Sequence, residues 1–110
     1  MVAGCADGHG GEGFYRNLAD VEDPKEFLEQ AINTPRLETV PDQWTSQILA
    51  RILVHHHVIF VSDLVDPELI TGMHMELATS FDEALEKAFA REGKDAKVAV
   101  IRDGLSVVVE

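Results

Sequence analysis

The sequence predicts a single α/β domain, built on a mixed sheet of about four strands with helices packed against it. Three observations favour this fold class. Runs of β-branched residues alternate with stretches of helical periodicity. A glycine-rich loop joins the first apolar run to the first helix. Asp103-Gly104, a typical hairpin signal, separates the last two apolar runs.

The first fifteen residues combine a short strand with the glycine-rich loop. Val2 to Cys5 is the predicted strand, and five of the eight glycines lie within residues 1–15. A loop that leads from a strand into a helix N-terminus suits an anionic or carboxylate ligand. The same glycines equally suit a tight turn and close helix-sheet packing, so both interpretations of Gly8 to Gly13 stay open.

Helices are predicted from apolar periodicity and from start signals. Asp23-Pro24-Lys25-Glu26 offers a cap, a proline at the first helical position and a capping-box glutamate. Ser80 and Glu83 form the clearest capping box, and Gly93 supplies the stop of that helix. The predicted helices cover residues 14–20, 24–33, a stretch from near 41 to the histidines at 55–57, residues 67–72, and 80–92.

The same periodicity predicts which helical side chains are buried. The predicted core residues are Phe27, Leu28, Ala31 and Ile32, then Trp44, Ile48, Leu49, Ile52 and Leu53, then Phe81, Ala84, Leu85, Ala88 and Phe89. Among the strands, Val58 to Val61 lacks polar alternation, which is typical of a central strand. Lys97–Ile101 and Leu105–Val109 predict two further strands joined as a hairpin. Met73 to Thr79 stays open between a loop and a brief extended segment.

Composition excludes several partners. The 110 residues carry twenty acidic and nine basic side chains, a formal net charge of −11, which disfavours nucleic acid and anionic membrane surfaces. No apolar stretch approaches the roughly 20 residues that span a bilayer, and no signal-peptide pattern follows Met1. A single cysteine, Cys5, fits a reducing compartment, so we expect a soluble cytoplasmic protein.

Two patterns suggest a cofactor or metal but are outweighed by structural interpretations. The glycines of Gly8–Gly13 satisfy G-x-G-x-x-G, yet the acidic residue required about twenty residues later falls in the predicted Pro24–Asn33 helix. His55-His56-His57 point in different directions at a junction, and nearby residues do not complete a coordination sphere. We therefore expect neither a dinucleotide nor a metal site in this chain.

Four other positions are candidates for a role in chemistry. Asp7 and His9 are weak catalytic candidates, because a carboxylate two residues from an imidazole can orient it as a general base, although both residues are also common in turns. Cys5 fits a small buried residue better than a nucleophile. Trp44, the only tryptophan, fits the core by periodicity, yet it stands near a helix start, where sites often form.

A resemblance rests on three segments, Ala3–Gly11, Pro41–Leu53 and Lys97–Gly104, which follow one another in this order. Together they are similar to the C-terminal domain of the nickel-pincer-nucleotide-dependent lactate racemase family. The resemblance covers essentially the whole chain, and the Asp42-Gln43-Trp44 helix start is its most specific part. It implies interconversion of the enantiomers of lactate or a related 2-hydroxy acid by hydride transfer to and from a nickel-bearing pyridinium cofactor, with Trp44 beside the substrate.

The resemblance also implies which groups lie outside this chain. In the family, the cofactor lysine, the nickel-binding histidine and the acid and base histidines belong to a larger N-terminal domain. Some substrate-carboxylate contacts come from a segment just before the glycine loop. We therefore expect a piece of a longer enzyme, inactive alone, whose partners are that N-terminal domain with its nickel-pincer nucleotide and a small 2-hydroxy acid. The alternative is a stand-alone binding or interaction module without catalysis.

Overall fold

The computed structural model describes Val2, residues 11–102 and Gly104. Within these residues, helices and strands follow one another in a single α/β unit. The helices are α1 (Glu12–Ala19), α2 (Pro24–Asn33), α3 (Gln43–His55), α4 (Pro67–Gly72) and α5 (Phe81–Glu92). The strands are β1 (Ile59–Val61) and β2 (Glu76–Ala78). None of the helices in this part of the chain is long and apolar enough to cross a membrane.

The helix starts agree with the capping signals in the sequence. Asp23 accepts a hydrogen bond from the Lys25 amide at the start of α2, and Ser80 accepts one from the Glu83 amide at the start of α5. Gly93 ends α5 with a φ of 99°, a backbone conformation that side chains rarely allow. All the predicted helices are thus confirmed in position, with α1 beginning two residues earlier than Phe14.

The sheet is small and parallel. β1 and β2 pair in parallel, with Ile59 opposite Glu76 and Val61 opposite Ala78, and α4 provides the crossover that parallel pairing requires. Val2 forms an isolated parallel bridge with Val61, so Val61 has partners on both sides. Residues 59–61 of the apolar run therefore form a strand, as predicted, but among the described residues it is one of two strands and not the central strand of a larger sheet.

The predicted mixed sheet of about four strands is wrong, because the sheet of the described residues has two strands. Lys97–Ile101 is irregular, and Val100 is 77% exposed. β-Branched residues favour a strand where they pack on a pleated, half-buried surface beside a partner strand, and among the described residues this segment has neither. Leu105–Val109 and residues 3–5 lie outside the described residues.

The hydrophobic core joins the helices to the sheet. Leu18 of α1 is fully buried at its centre. The other buried members are Val21, Phe27, Ala31, Ala50, Phe60, Ile70, Met73 and Met75. Helices α1 and α2 pack on α3, and α5 lies against both strands.

The buried face of α3 differs from the predicted one. Gln43, Ser46 and Ala50 are buried, whereas Trp44, Ile48 and Ile52 are exposed. Small residues at the contact let α3 approach α1 and α2 closely. Leu49 and Leu53 are partly buried against the core, as predicted, whereas the other three large apolar side chains face outward. The prediction also fails for two more residues, Ile32 and Phe81, which are both exposed.

A charged cluster joins α5 to the sheet. Lys87 lies 3.0 Å from a Glu76 carboxylate oxygen and 3.1 Å from one of Glu83, and its ammonium also donates to the Leu77 carbonyl at 2.9 Å. The second Glu76 oxygen lies 2.7 Å from His57 Nε2. The hydrogen bond from His57, followed by that from Lys87, lowers the pKa of Glu76.

Glu83 has the most perturbed carboxylate of this cluster. Its Oε2 accepts hydrogen bonds from the Thr79 amide at 2.9 Å and the Thr79 hydroxyl at 2.7 Å. These two bonds, followed by the one from Lys87, lower the pKa of Glu83 from 4.5 to about 2. The folded state therefore favours the charged form of this side chain.

Glu83→Gln should weaken the acid dependence of stability. A carboxyl whose pKa falls from 4.5 to about 2 on folding stabilises the fold fully above pH 4.5, and that contribution is lost as the pH falls towards 2. Urea denaturation at a series of pH values should show a variant less stable than the parent at neutral pH, with a shallower loss on acidification. Because Glu83 is solvent-accessible, the difference should be modest and should shrink in high salt.

Glu86→Gln is the matched control, because Glu86 is an exposed carboxylate on the same helix. Its stability profile should follow that of the parent. Equal acid dependence in Glu83→Gln and the parent would show that the Thr79 and Lys87 contacts do not contribute to stability.

Candidate functional site

The candidate site surrounds the start of α3. Trp44, in the first turn, is 68% exposed, so the core position predicted by periodicity is wrong. The indole borders an open groove of about 410 Å³ between the end of α2, the connection that follows it and the start of α3. The groove residues beside Trp44 include Thr34, Arg36, Thr39, Gln43 and Gln47.

The backbone at Asp42 sets where α3 begins. Asp42 has a φ of 60°, in the left-handed region, which interrupts the preceding chain before the helix. Its carbonyl accepts from the Thr45 hydroxyl at 2.7 Å, the Ser46 amide at 3.0 Å and the Ser46 hydroxyl at 3.0 Å. The buried Gln43 side chain accepts from the Val40 amide at 3.1 Å and so holds the incoming chain.

A polar contact across α1 and α3 supports this helix start. The Asn17 amide nitrogen on α1 donates to the Pro41 carbonyl at 3.2 Å and to the Ser46 hydroxyl at 3.1 Å. Ser46 is fully buried, and its oxygen also lies 3.4 Å from the Phe14 carbonyl oxygen. Each polar group at the contact therefore has a partner, which makes its geometry specific.

Gly13 permits the close approach of α1 to the chain before α3. A Cβ atom built there would lie 2.9 Å from Asp42 Oδ2 and 3.2 Å from the Pro41 carbonyl oxygen. A side chain at this position would displace one of the two segments. For Gly13, the close-packing interpretation of the glycine-rich loop is therefore the one the contacts support.

The other loop candidates fall outside the described residues. These are Cys5, Asp7, His9, and the glycines at 8 and 10. The general-base role of Asp7 and His9 therefore stays a prediction, and so does ligand binding by the first part of the loop.

The groove beside Trp44 can bind and orient an anion. Among the described residues that line it, Arg36 is the one cation, and the hydroxyls of Thr34 and Thr39 and the amide of Gln47 add donors along the same groove. A guanidinium, hydroxyls and an indole lining one groove suit a small molecule with a carboxylate and an apolar end. In the described part of the chain, the residues that line this groove include no side chain that serves as a general base near neutral pH.

Two histidines of the described residues, His57 and His74, make hydrogen bonds within the fold. His57 bonds to Glu76, and His74 Nε2 lies 2.9 Å from the Leu18 carbonyl oxygen. Between residues 11 and 102, no group of three His, Cys, Asp or Glu side chains is close enough to hold a metal ion. The donor set of these residues does not fit nickel.

Fold and site together define a small α/β domain that presents an aromatic helix start at a polar groove, with the means to bind and orient a ligand. The family model described as lactate racemase C-terminal domain matches residues 1–109. The chain belongs to this family.

Known relatives agree with the assignment. The chain is similar to the lactate racemase of Lactiplantibacillus plantarum, with 79% identity over 110 residues that make up all of this chain and 26% of that protein. It is 47% identical over 109 residues to the lactate racemase of Thermoanaerobacterium thermosaccharolyticum, covering 99% of this chain and 26% of the relative. The chain thus spans about a quarter of the length of the relatives it matches.

A solved structure has the same fold. The lactate racemase apoprotein from Thermoanaerobacterium thermosaccharolyticum superposes with a TM-score of 0.94 at 47% identity. The match covers 99% of this chain and 26% of that one. The arrangement described above is therefore that of the C-terminal part of a larger polypeptide.

Ser46→Ala should destabilise the chain by about 1–3 kcal/mol, because it removes a partner of Asn17 at a fully buried position. Thr45→Ala is the neighbouring control. It also removes a hydroxyl bond to the Asp42 carbonyl, but its side chain is less buried, so we expect a loss of about 1 kcal/mol or less. Chemical denaturation measures both, and equal losses would contradict a specific role for the α1–α3 contact.

Proposed function

We propose that this chain is the C-terminal part of a racemase that interconverts the enantiomers of lactate or a related 2-hydroxy acid, and that Trp44 contacts the substrate. The exposure of Trp44 carries the proposal. A tryptophan in the first turn of an amphipathic helix normally adds to the core, yet this one is 68% exposed beside a polar groove. Membership of the lactate racemase C-terminal domain family supplies the reaction class.

Trp44 acts in this proposal by positioning and by excluding water. A flat indole over a small hydroxy acid restricts the orientations in which its α-carbon can meet a hydride acceptor. It also removes water from one side of the reacting centre. Arg36 and the groove hydroxyls are suitably placed to attract the carboxylate of such a substrate, since charge-assisted hydrogen bonds to a carboxylate are strong.

The chemical groups of the reaction belong elsewhere in this proposal. The family resemblance implies a nickel-pincer nucleotide, an isomerase reaction and acid and base histidines on an N-terminal domain. Among the described residues, no group of three His, Cys, Asp or Glu side chains is placed to hold the nickel ion. We therefore assign binding and orientation to this chain, and hydride and proton transfer to the partner domain.

The surface of α3 is the part of the chain that we propose to face the N-terminal domain. Trp44, Ile48 and Ile52 lie along one exposed side of the helix, and Val40 and Leu37 are exposed in the segment before it. Contiguous exposed apolar side chains typically mark an interaction site. A partner from the same polypeptide accords with relatives about four times as long as this chain.

We also propose a cytoplasmic location, because a single cysteine fits a reducing compartment.

The same apolar surface favours a second function, that of an interaction module without catalysis. Such a module would bind a partner through α3 without using the groove for a hydroxy acid. The two functions differ in what Trp44 does, since only the racemase needs its indole during turnover.

Trp44→Phe in the full-length enzyme should lower racemisation of lactate roughly tenfold or more, because a smaller ring holds the substrate less closely. The stability of the isolated chain should change little, within about 0.5 kcal/mol, because the side chain is mostly exposed there. The measurements are kcat and KM of the full-length enzyme and the thermal midpoint of the isolated chain.

Leu64→Ala is the control, because Leu64 is exposed to a similar degree, 64%, but lies in the connection between β1 and α4. Its turnover should match that of the parent. Unchanged turnover in Trp44→Phe would refute the substrate contact, and would favour the interaction module if binding of the N-terminal part were weakened.

The isolated chain should show neither racemase activity nor stoichiometric nickel, since the implied catalytic groups belong to the N-terminal domain. Elemental analysis of the purified chain and a chiral lactate assay measure both quantities. Turnover above a mock preparation, or one nickel per chain, would contradict this division of roles.

A further inference from the structure

Asp42 has an unusual backbone conformation directly before the Trp44 helix. Its φ of 60° lies in a region that residues other than glycine rarely adopt, and its side chain makes no capping hydrogen bond to α3. An aspartate at this position ordinarily caps the helix that it precedes. Here the carboxylate is directed to a different helix.

That helix is α1. Asp42 Oδ2 is so near the start of α1 that a Cβ atom would lie 2.9 Å from it at Gly13 and 3.3 Å from it at Gly11. The first turn of a helix carries the positive end of its dipole and attracts a carboxylate. The Asp42 side chain therefore lies against the start of α1. Its backbone carbonyl accepts hydrogen bonds from Thr45 and Ser46 in the first turn of α3.

We propose that Asp42 is a positioning residue for Trp44. Its carboxylate, held against α1, fixes the left-handed backbone from which α3 starts, and that backbone sets the direction of the indole two residues later. A strained conformation of this kind persists only where its surroundings impose it. Trp44 is mostly exposed, so packing alone does not hold it. The expected loss of turnover rests on the proposed contact between Trp44 and substrate. The expected loss of a fixed indole orientation does not depend on that contact.

The sole tryptophan makes the orientation measurable in this chain. Its near-ultraviolet circular dichroism band and its fluorescence anisotropy report on one side chain. Asp42→Gly keeps a left-handed backbone available and removes the carboxylate. The tryptophan band should fall by half or more and the anisotropy should decrease, while the far-ultraviolet helix signal stays close to that of the parent.

Asp42→Asn is the conservative variant. Asparagine tolerates the left-handed region and keeps an acceptor oxygen, so most of the tryptophan signal should return. Asp82→Asn is the matched control, because Asp82 is an exposed carboxylate in the first turn of α5. Both tryptophan signals should be unchanged in the control.

Gly13→Ala tests the same contact from the other side. Its methyl group would lie 2.9 Å from Asp42 Oδ2, which forces the carboxylate away while Asp42 remains. It should reproduce the loss of tryptophan signal, and adding it to Asp42→Gly should cause little further loss, because coupled residues are not additive. If Asp42→Gly loses helix content, the tryptophan signals of Gly13→Ala and Asp42→Asn show whether the Asp42 carboxylate orients Trp44.

Unchanged tryptophan band and anisotropy in the Asp42→Gly and Gly13→Ala variants would overturn the proposal, even if their thermal midpoints fell. Independent, additive losses would overturn the contact between the two residues. In the full-length enzyme, Asp42→Gly should lower kcat, and should have little further effect in a Trp44→Phe background. If Trp44→Phe leaves turnover unchanged, the substrate contact fails, and the spectroscopic result alone decides the positioning role.

Discussion

The close approach of α1 to the start of α3 is the constraint on which the rest of the arrangement depends. Gly13 allows it, because any side chain there would meet Asp42 Oδ2 and the Pro41 carbonyl. Ser46 and Ala50 continue it, since small buried residues keep the two helices near each other. The orientation of α3 follows from this approach. Its side with Ser46 and Ala50 faces the core, and the side with Trp44, Ile48 and Ile52 faces outward.

Much of the fold was predictable because its signals are local. The caps at Asp23 and Ser80 and the stop at Gly93 depend only on neighbouring residues, and they placed α2 and α5 correctly. The strand predicted at Lys97–Ile101 was wrong, because strand formation there does not depend on neighbouring residues alone. A β-branched run becomes a strand only beside a partner at the right register, which is a tertiary property. The described residues there are exposed instead.

The site was predictable in part. The Asp42-Gln43-Trp44 segment carried the resemblance, but periodicity placed Trp44 in the core because hydrophobic spacing does not show which side of a helix is covered. The small polar Ser46, four residues before Ala50, was the available signal that the buried side was the smaller one. The contact of Asn17 with Ser46 joins positions 29 apart in sequence, so spacing along the chain could not reveal it.

The proposed role, binding without supplying catalytic groups, places particular demands on the surface of this domain. An exposed tryptophan, together with Ile48 and Ile52, forgoes the roughly 1.5–3 kcal/mol that burial of each large apolar side chain can contribute. The fold must therefore obtain its stability elsewhere. The buried cluster around Leu18 and the polar contact at Ser46 lie directly beneath the exposed side of α3, so the rigid part of the molecule supports the surface that is proposed to meet substrate and partner. Such a rigid support suits a site that acts by geometry, because a displaced side chain contributes little to orienting a substrate.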